Sequence, residues 1–314
     1  MKPRKTFLVT GGCGFIGSHL SEALLARGDA VRVLDDLSSG LLSNLPKGAE
    51  LIRGSITEPR CVREALAGTD GCFHLAAISS VERSLSDWIG THRVNLEGTI
   101  IIFDELCKLS ASRVIPVVYA SSAAVYGEAS ELPLREDMQA LPLSAYGADK
   151  LGAELHARIA AKVFGIPAVG LRLFNVYGPR QDPRSPYSGV ISRFCDRLCR
   201  GEPVEIFGDG QQQRDFIFVA DVVAALLKAM DRPPAGAVLN ICTGIGTSIE
   251  ALAKLVSELG GRPLEIRFSP ARPGEIRNSV GSPARAAAAL GLSQPTPLRE
   301  GLPHVLRWLE GSLK

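Results

Sequence analysis

A short apolar strand, Thr6–Thr10, runs directly into Gly11-Gly12-Cys13-Gly14-Phe15-Ile16-Gly17, and this junction constrains the fold more than any other part of the chain. Beyond the glycines, Ile16, Leu20 and Leu24 fall on one helical face, and Gly28 stands where a helix stops in a left-handed turn. Glycines at a strand-to-helix turn permit a tight bend, close approach of backbone to a pyrophosphate, and close helix–strand packing. The helix start adds free N–H groups and the positive end of a dipole. A glycine-rich loop alone is weak. Here, however, Asp35 stands 18 residues beyond Gly17, at the end of a second strand, Ala30–Leu34. A carboxylate there accepts hydrogen bonds from a ribose diol and repels a 2′-phosphate. The expected cofactor is therefore NAD rather than NADP, bound at Gly11, Gly14, Phe15, Ile16, Gly17 and Asp35, with the adjacent Asp36 as the alternative ribose ligand.

The first two-thirds of the chain alternate short β-branched runs with longer helical patterns, which predicts an α/β fold with a doubly wound parallel sheet, the Rossmann arrangement. Further strands are expected at Leu51–Arg53, Gly71–Ala76, Val114–Ala120 and Ala168–Phe174, and helices at Val94–Leu109 and Tyr146–Phe164. From about Tyr177 the texture changes: Gly178-Pro179-Arg180, Pro183, Pro186 and Pro203 separate shorter strands, as in a smaller mixed α/β lobe. Ala220–Met230 and Val238–Ile241 read as a helix and a strand able to rejoin the main sheet. The expected division places residues 1–177 and about 213–243 in the cofactor domain, and about 178–212 and 244–314 in a C-terminal substrate lobe.

The charge balance narrows the partners. With 35 Lys and Arg against 33 Asp and Glu in 314 residues, the net charge of +2 gives no case for nucleic acid or a membrane surface. A phosphate-bearing ligand must be caught by local arginines and helix ends. The seven cysteines are scattered without a C-x-x-C pair, so they read as small buried hydrophobes and no metal site is expected. The basic start, Met1 to Lys5, leads into a stretch broken by glycines and lacking a small-residue cleavage site, and no run approaches a membrane span. The expectation is a cytoplasmic protein with reduced thiols.

Tyr146 and Lys150 lie one turn apart on one face of a predicted helix. An ammonium beside a phenol favours the phenolate, which predicts a Tyr146 pKa below the free value of about 10 and a general base usable near neutrality. Taken alone, Y-x-x-x-K is common by chance. Its weight comes from following the glycine loop and a strand that ends in Tyr119-Ala120-Ser121-Ser122. Ser122 there can hydrogen-bond the oxygen that Tyr146 deprotonates, so that a hydroxyl proton is abstracted while hydride leaves the same carbon for NAD.

Five segments in this order, Thr10 to Gly17, His74-Leu75-Ala76-Ala77, Ser121 to Gly127, Tyr146-Gly147-Ala148-Asp149-Lys150 and Leu171 to Arg180, resemble the NAD-dependent nucleotide-sugar epimerase/dehydratase family, an extended short-chain dehydrogenase family. Within it, the likeness is strongest to UDP-hexose 4-epimerases. The resemblance implies that Ser122, Tyr146 and Lys150 are catalytic, with Lys150 also holding the nicotinamide ribose. It implies that Leu75, Ala76, Ala77, Asn95 and Phe174 border the cofactor or sugar, and that Asn175 binds the substrate diphosphate. Gly208 to Phe216 resembles a segment that offers Arg214 to that diphosphate, and Arg272-Pro273-Gly274-Glu275 a second, with Arg272 on phosphate and Glu275 on the uridine ribose. Arg53-Gly54-Ser55-Ile56 departs from the family pattern, which has an aspartate on the adenine amino group where this chain has Ser55. Ser55 and Ile56 would border the adenine with one charge fewer.

Dehydratases of the family carry an acid pair after the catalytic hydroxyl residue, where this chain has Ala123 and Ala124, and the glutamate of related decarboxylases is also absent. What remains is oxidation at C4, rotation of the 4-keto sugar and return of hydride to the other face. Ser279, seven residues beyond Arg272, matches a position that sets pocket size. A small serine leaves room for a C2 N-acetyl group, so UDP-GlcNAc and UDP-GalNAc join UDP-glucose and UDP-galactose as expected substrates. A UDP-glucuronate 4-epimerase, a nucleotide-sugar reductase and a non-catalytic NAD sensor are the alternatives. The helices Val94–Leu109 and Tyr146–Phe164 resemble those that pair in the family's dimers, so a homodimer is expected.

Overall fold

The computed structural model describes residues 4–185, 188–234, 236–271 and 276–312. The first strand, β1 (Thr6–Thr10), passes through the glycine turn into α1 (Phe15–Ala26), which stops at Gly28 with φ +91°. Then follow β2 (Ala30–Asp35), β3 (Glu50–Arg53), α2 (Pro59–Leu66) and β4 (Gly71–His74). After two short helices, α3 (Val81–Ser86) and α4 (Trp88–His92), come α5 (Gly98–Ser110), β5 (Val117–Ser122), α6 (Ala145–Phe164) and β6 (Ala168–Leu173).

The small lobe begins with β7 (Asn175–Tyr177) and continues through α7 (Val190–Arg200), β8 (Val204–Phe207) and β9 (Gln213–Phe218). The chain then returns to the main sheet by α8 (Val219–Asp231) and β10 (Val238–Ile241). It finishes with β11 (Gly246–Ser248), α9 (Ile249–Gly260), β12 (Ile266–Ser269), β13 (Asn278–Ser279), α10 (Ala284–Leu290) and α11 (Leu298–Ser312).

The main sheet has seven strands in the order β10-β6-β5-β4-β1-β2-β3, and its pairings are all parallel. This is the doubly wound sheet expected from the alternating pattern, with β10 rejoining it at the edge. Strand order reverses beside β1, between β2 and β4, so the crevice at their carboxyl ends is where a ligand binds in such folds. Layers of Leu20, Leu24, Val222 and Leu226 on one face and Ile102, Leu106, Ala157 and Ala160 on the other cover the sheet. In the small lobe β9 is the hub: it pairs with β7, β11 and β13, while β8 and β12 form a separate parallel pair. Its core joins Phe194, Leu198, Ile206, Leu252, Val256 and Val305.

Three expected elements shift by two residues or more, each for a local reason. The strand anticipated from Val114 starts at Val117, because Pro116 has no N–H to give the ladder and Val114 is exposed. The strand anticipated through Ala76 ends at His74, where the N–H groups of Leu75 and Ala76 turn to Thr10. The helix anticipated from Val94 is entered from α4 through a wide π-helical turn, Arg93–Glu97. In that turn the Asn95 amide spends both its polar atoms on the backbone of Ile78, at 2.8 and 3.0 Å, and the Thr99 hydroxyl donates to the Asn95 carbonyl at 2.6 Å. Such insertions cluster at functional sites.

Candidate active site

The glycine turn leaves no room for a side chain at Gly11 or Gly17. Gly11 has φ +70°, and a Cβ there would meet the Ala76 nitrogen at 2.8 Å; one at Gly17 would lie 2.1 Å from the Gly11 carbonyl oxygen. The start of α1 is left without a side-chain cap, and its first turn carries no acid. Uncapped N–H groups and an unopposed dipole suit a pyrophosphate. Asp35 is buried beside the turn, one oxygen accepting from the Cys13 N–H and the other from the Leu37 N–H, each at 2.9 Å. The residues present therefore fit a dinucleotide, with Gly11, Gly14, Phe15, Ile16, Gly17 and Asp35 gathered at the switch point.

Leu75, Ala76 and Ala77 follow β4 onto the same edge. Asn95 is bound to the loop beyond them through both backbone groups of Ile78. Ser55 closes its own turn, its hydroxyl 2.8 Å from that of Thr57. The Ile56 side chain is buried against Gly98.

Two elements bring Ser122, Tyr146 and Lys150 together. Ser144 caps α6 by accepting from the Gly147 N–H at 3.1 Å, which sets the phase of the helix at Tyr146 and Lys150. Ser122 ends β5, where its oxygen accepts from the Ala124 N–H at 3.1 Å and its hydroxyl is hydrogen-bonded to the Tyr146 phenol. The Lys150 ammonium stands 5.8 Å from the centre of the Tyr146 ring and donates to the Ala120 carbonyl at 2.8 Å. The expected fall in the Tyr146 pKa is not what the geometry produces. Burial pushes the phenol up, with only the Ser122 hydrogen bond opposing it, because the ammonium is directed at Ala120 rather than at the phenol oxygen.

Behind these groups lies a buried polar network that sequence reasoning missed. Glu154, one turn beyond Lys150, takes Arg172 of β6 in a two-pronged ion pair at 2.9 and 2.8 Å and accepts from the Ser121 hydroxyl at 2.5 Å. The Arg172 guanidinium lies 4.7 Å from the centre of the Tyr126 ring, and the Tyr126 hydroxyl donates to Asn240 at 2.7 Å. Burial works against the Arg172 charge, but the Glu154 carboxylate holds its pKa above the usual guanidinium range. The helix bearing Tyr146, the strand bearing Ser122 and the turn after it are thus fastened at one point. His74, quoted in a family segment without a role of its own, sits between the hydroxyls of Thr10 and Thr99 at 2.8 and 2.9 Å. Burial and then the Lys150 charge push it down to about 3, so it is neutral.

A cavity of about 740 Å³ opens in the small lobe, lined by Asn175, Arg193, Phe194, Phe207, Arg214 and Phe268 among others. Asn175 and Arg214, both expected at a diphosphate, are brought to it together. The sequence offered no signal for Arg193, which enters from α7. Arg214 is oriented by its neighbours: its guanidinium donates to the carbonyls of Gln213 and Arg277, at 2.9 and 3.3 Å. Asp215, buried next to it, accepts from Thr243, Gly244 and Gly281. Arg277 is clamped on Asp209 at 2.7 and 2.8 Å.

Ser279 pairs with Arg214 across β13 and β9, and Phe174 packs on Gly281 just beyond. Arg272 and Glu275 lie outside the described residues. The cavity connects to the reacting groups through β6: Ser122 is the register partner of Leu173, and Asn175 follows two residues on, about 7 Å of extended chain. Among the described residues no cluster of metal-ligating side chains occurs, the cysteines are free, and no helix is long and apolar enough to cross a membrane.

Residues 7–242 match the model of the NAD dependent epimerase/dehydratase family. The chain is 37% identical to the UDP-glucose 4-epimerase of Mycolicibacterium smegmatis over 94% of its own length and 95% of that protein's. Its fold is similar to that of the Thermotoga maritima UDP-glucose 4-epimerase solved with UDP-glucose, with a TM-score of 0.94 and 35% identity over 98% of this chain and all of that one. It is also similar to a UDP-N-acetylglucosamine 4-epimerase from Methanobrevibacter ruminantium solved with UDP-N-acetylmuramic acid, with a TM-score of 0.93 and 31% identity over 98% and 99% of the two chains. A glycine turn that fits a dinucleotide, an acid-free Ser–Tyr–Lys group and a match running the length of the cofactor domain have one reading: the chain belongs to the NAD-dependent epimerase/dehydratase family, and its cofactor is NAD.

Proposed function

We propose that the protein interconverts UDP-hexoses that differ at C4. The observation that carries this reading is the pairing of Ser122 with Tyr146 beside a turn, Ala123–Val125, that offers no acid. The group can move a proton on and off one hydroxyl but cannot expel water from the neighbouring carbon. Ser122 orients the C4 hydroxyl and Tyr146 takes its proton, while Lys150, its Nζ 5.8 Å from the centre of the Tyr146 ring, adds a positive charge nearby. NAD, when bound, supplies the hydride acceptor and later the donor, and its cationic ring favours the phenolate that burial opposes. Asn175 and the guanidiniums of Arg193 and Arg214 suit the diphosphate, with Phe194, Phe207 and Phe268 as apolar walls for the base. By resemblance, Arg272 and Glu275 complete that site.

Sugar choice rests on Ser279, one strand from Arg214. Its small side chain supports acceptance of N-acetylated hexoses beside UDP-glucose and UDP-galactose. Incubation of the purified protein with UDP-galactose, UDP-GalNAc and UDP-glucuronate in separate reactions, without added NAD, tests this by chromatography of the 4-epimers. Conversion of the first two is expected. Conversion of UDP-glucuronate alone would move the assignment to uronic acids, and net consumption of reduced cofactor would make the protein a reductase.

A homodimer follows from the same reading. Leu155, Ile159 and Val163 form a stripe on the outer face of α6 and are 54%, 51% and 69% exposed. Three large aliphatics at helical spacing on a helix surface support burial by a second copy. Ile159→Asp is expected to convert a particle of twice the chain mass to a monomer in light scattering; a wild-type protein that is already monomeric would remove the proposal.

A further inference from the structure

His74 ends β4 between two threonine hydroxyls, and only one arrangement of protons satisfies the groups around it. The residue is 4% exposed, so both ring nitrogens depend on protein partners. The Thr99 hydroxyl oxygen lies 2.6 Å from the Asn95 carbonyl oxygen. Two oxygens that close need a proton between them, and the carbonyl has none, so the Thr99 proton is spent there. The 2.9 Å contact between Thr99 and Nε2 of His74 must then carry a proton from the ring. On the other side, Nδ1 stands 2.8 Å from the Thr10 hydroxyl, which already accepts from the amides of Leu75 and Ala76 at 3.2 and 3.1 Å. A ring protonated on Nδ1 as well would put a third donor on that oxygen and leave the Thr10 proton without an acceptor. Nδ1 is therefore bare, and Thr10 donates to it.

We propose that His74, fixed as the neutral Nε2–H form, is a positioning residue for the cofactor. By taking the Thr10 proton it aims the Thr10 lone pairs at the amides of Leu75 and Ala76, and so sets the gap between the glycine turn and the segment that follows β4. That gap is narrow: the Ala76 nitrogen is the atom that a Cβ on Gly11 would meet at 2.8 Å. The far end of the same segment is held by Asn95, whose side-chain amide bonds both backbone groups of Ile78. His74 ties the two holders together, since Thr99 is bonded to the Asn95 backbone. Residues 75–78 are thus clamped at both ends by one closed circuit of hydrogen bonds through β1, β4 and the π-helical turn. The role depends on NAD as the cofactor and not on the epimerase reading.

Three substitutions separate the clamp from simple packing. Thr10→Val keeps the shape of the side chain but removes the hydroxyl. The Leu75 amide still has the Thr10 carbonyl at 3.2 Å, so Ala76 is the residue whose amide is released. His74→Asn places an amide oxygen near the position of Nδ1, so Thr10 keeps an acceptor, whereas His74→Leu offers it none. Neither side chain reaches Thr99 as the imidazole does, so both variants lose that bond.

Two measurements test the role. In wild-type protein labelled with ¹⁵N on its five histidines, two-bond ¹H–¹⁵N correlation at neutral pH reads each ring's tautomer, and the ring missing from the His74→Asn spectrum is His74. It should show a proton on Nε2 alone; a proton on Nδ1, or on both nitrogens, overturns the proposal whatever the variants do. Calorimetric titration of NAD into charcoal-stripped protein reads the second consequence without any sugar. Thr10→Val and His74→Leu should each weaken NAD binding by about tenfold or more, and His74→Asn by clearly less than His74→Leu. An unchanged NAD affinity in folded Thr10→Val, or equal losses in the two His74 variants, overturns the positioning role. The expected losses of NAD affinity, in a protein whose wild type converts no UDP-sugar, would uphold the clamp and overturn the epimerase reading instead.

Discussion

Tyr146→Phe should lower kcat by about 10²- to 10⁴-fold, the range over which a positioned general base contributes, and change KM little. The substitution removes a single oxygen. The ring keeps its place at the start of α6, where the Ser144 cap and the Ala124 turn determine the backbone. What is lost is the oxygen bonded to Ser122, the group proposed to take the C4 hydroxyl proton. Because burial raises the phenol, the wild type itself should show activity that climbs with pH through the acid and neutral range, as the phenolate fraction grows. The variant should lack that climb. Steady-state kinetics on the converted UDP-sugar decide the matter: activity within tenfold of wild type in Tyr146→Phe would assign the base elsewhere.

Glu154→Leu should destabilise the fold by about 3–5 kcal/mol, the usual consequence of leaving one member of a buried ion pair without its partner. Arg172 would remain under the sheet with its charge uncompensated; one of its nitrogens is already buried without a hydrogen bond. A chain of this length loses about 0.7 kcal/mol per degree at its midpoint, so the melting temperature should drop by about 4–7 °C. Glu154→Leu combined with Arg172→Met removes both charges and should recover most of the loss. The pair also fastens α6 to the Ser121 end of β5, so the double variant should regain stability while kcat stays depressed. Thermal melts of the two variants, read beside their kcat values, separate the contributions. Equal destabilisation in single and double variants would show that packing, not charge, is what the pair supplies.

The parts legible in the sequence are those in which chemistry and periodicity coincide within a few residues. The glycine turn, Asp35 at a strand end, and Tyr146 one turn from Lys150 each carry their own geometry, and the parallel sheet follows from the spacing of its strands. Contacts made across the fold were not legible. Glu154 and Arg172 are 18 residues apart and on different elements, so nothing local marks them as partners. Arg193 resembles any other arginine on an amphipathic helix until α7 is seen to wall the cavity. The widened turn at Arg93–Glu97 hides because a π-helical segment has almost the same hydrophobic pattern as the helix around it. The Tyr146 phenol is pushed up rather than down for a related reason: helical spacing brings an ammonium near a ring but does not say where its hydrogen bond points.

The hydrogen bonds of Asp35 bear on how such a chain evolves. Its two oxygens hold the amides of Cys13 and Leu37, one in the turn that cradles a pyrophosphate and one in a residue at φ 60°, an unusual backbone setting for leucine. A lineage drifting toward the 2′-phosphorylated cofactor must discard this carboxylate, and in the same step it loosens both loops around the binding crevice. The intermediate would bind neither dinucleotide well. Preference for NAD is in this sense a ratchet: it is kept by the scaffolding that one side chain provides, and reversing it takes several coordinated substitutions rather than one.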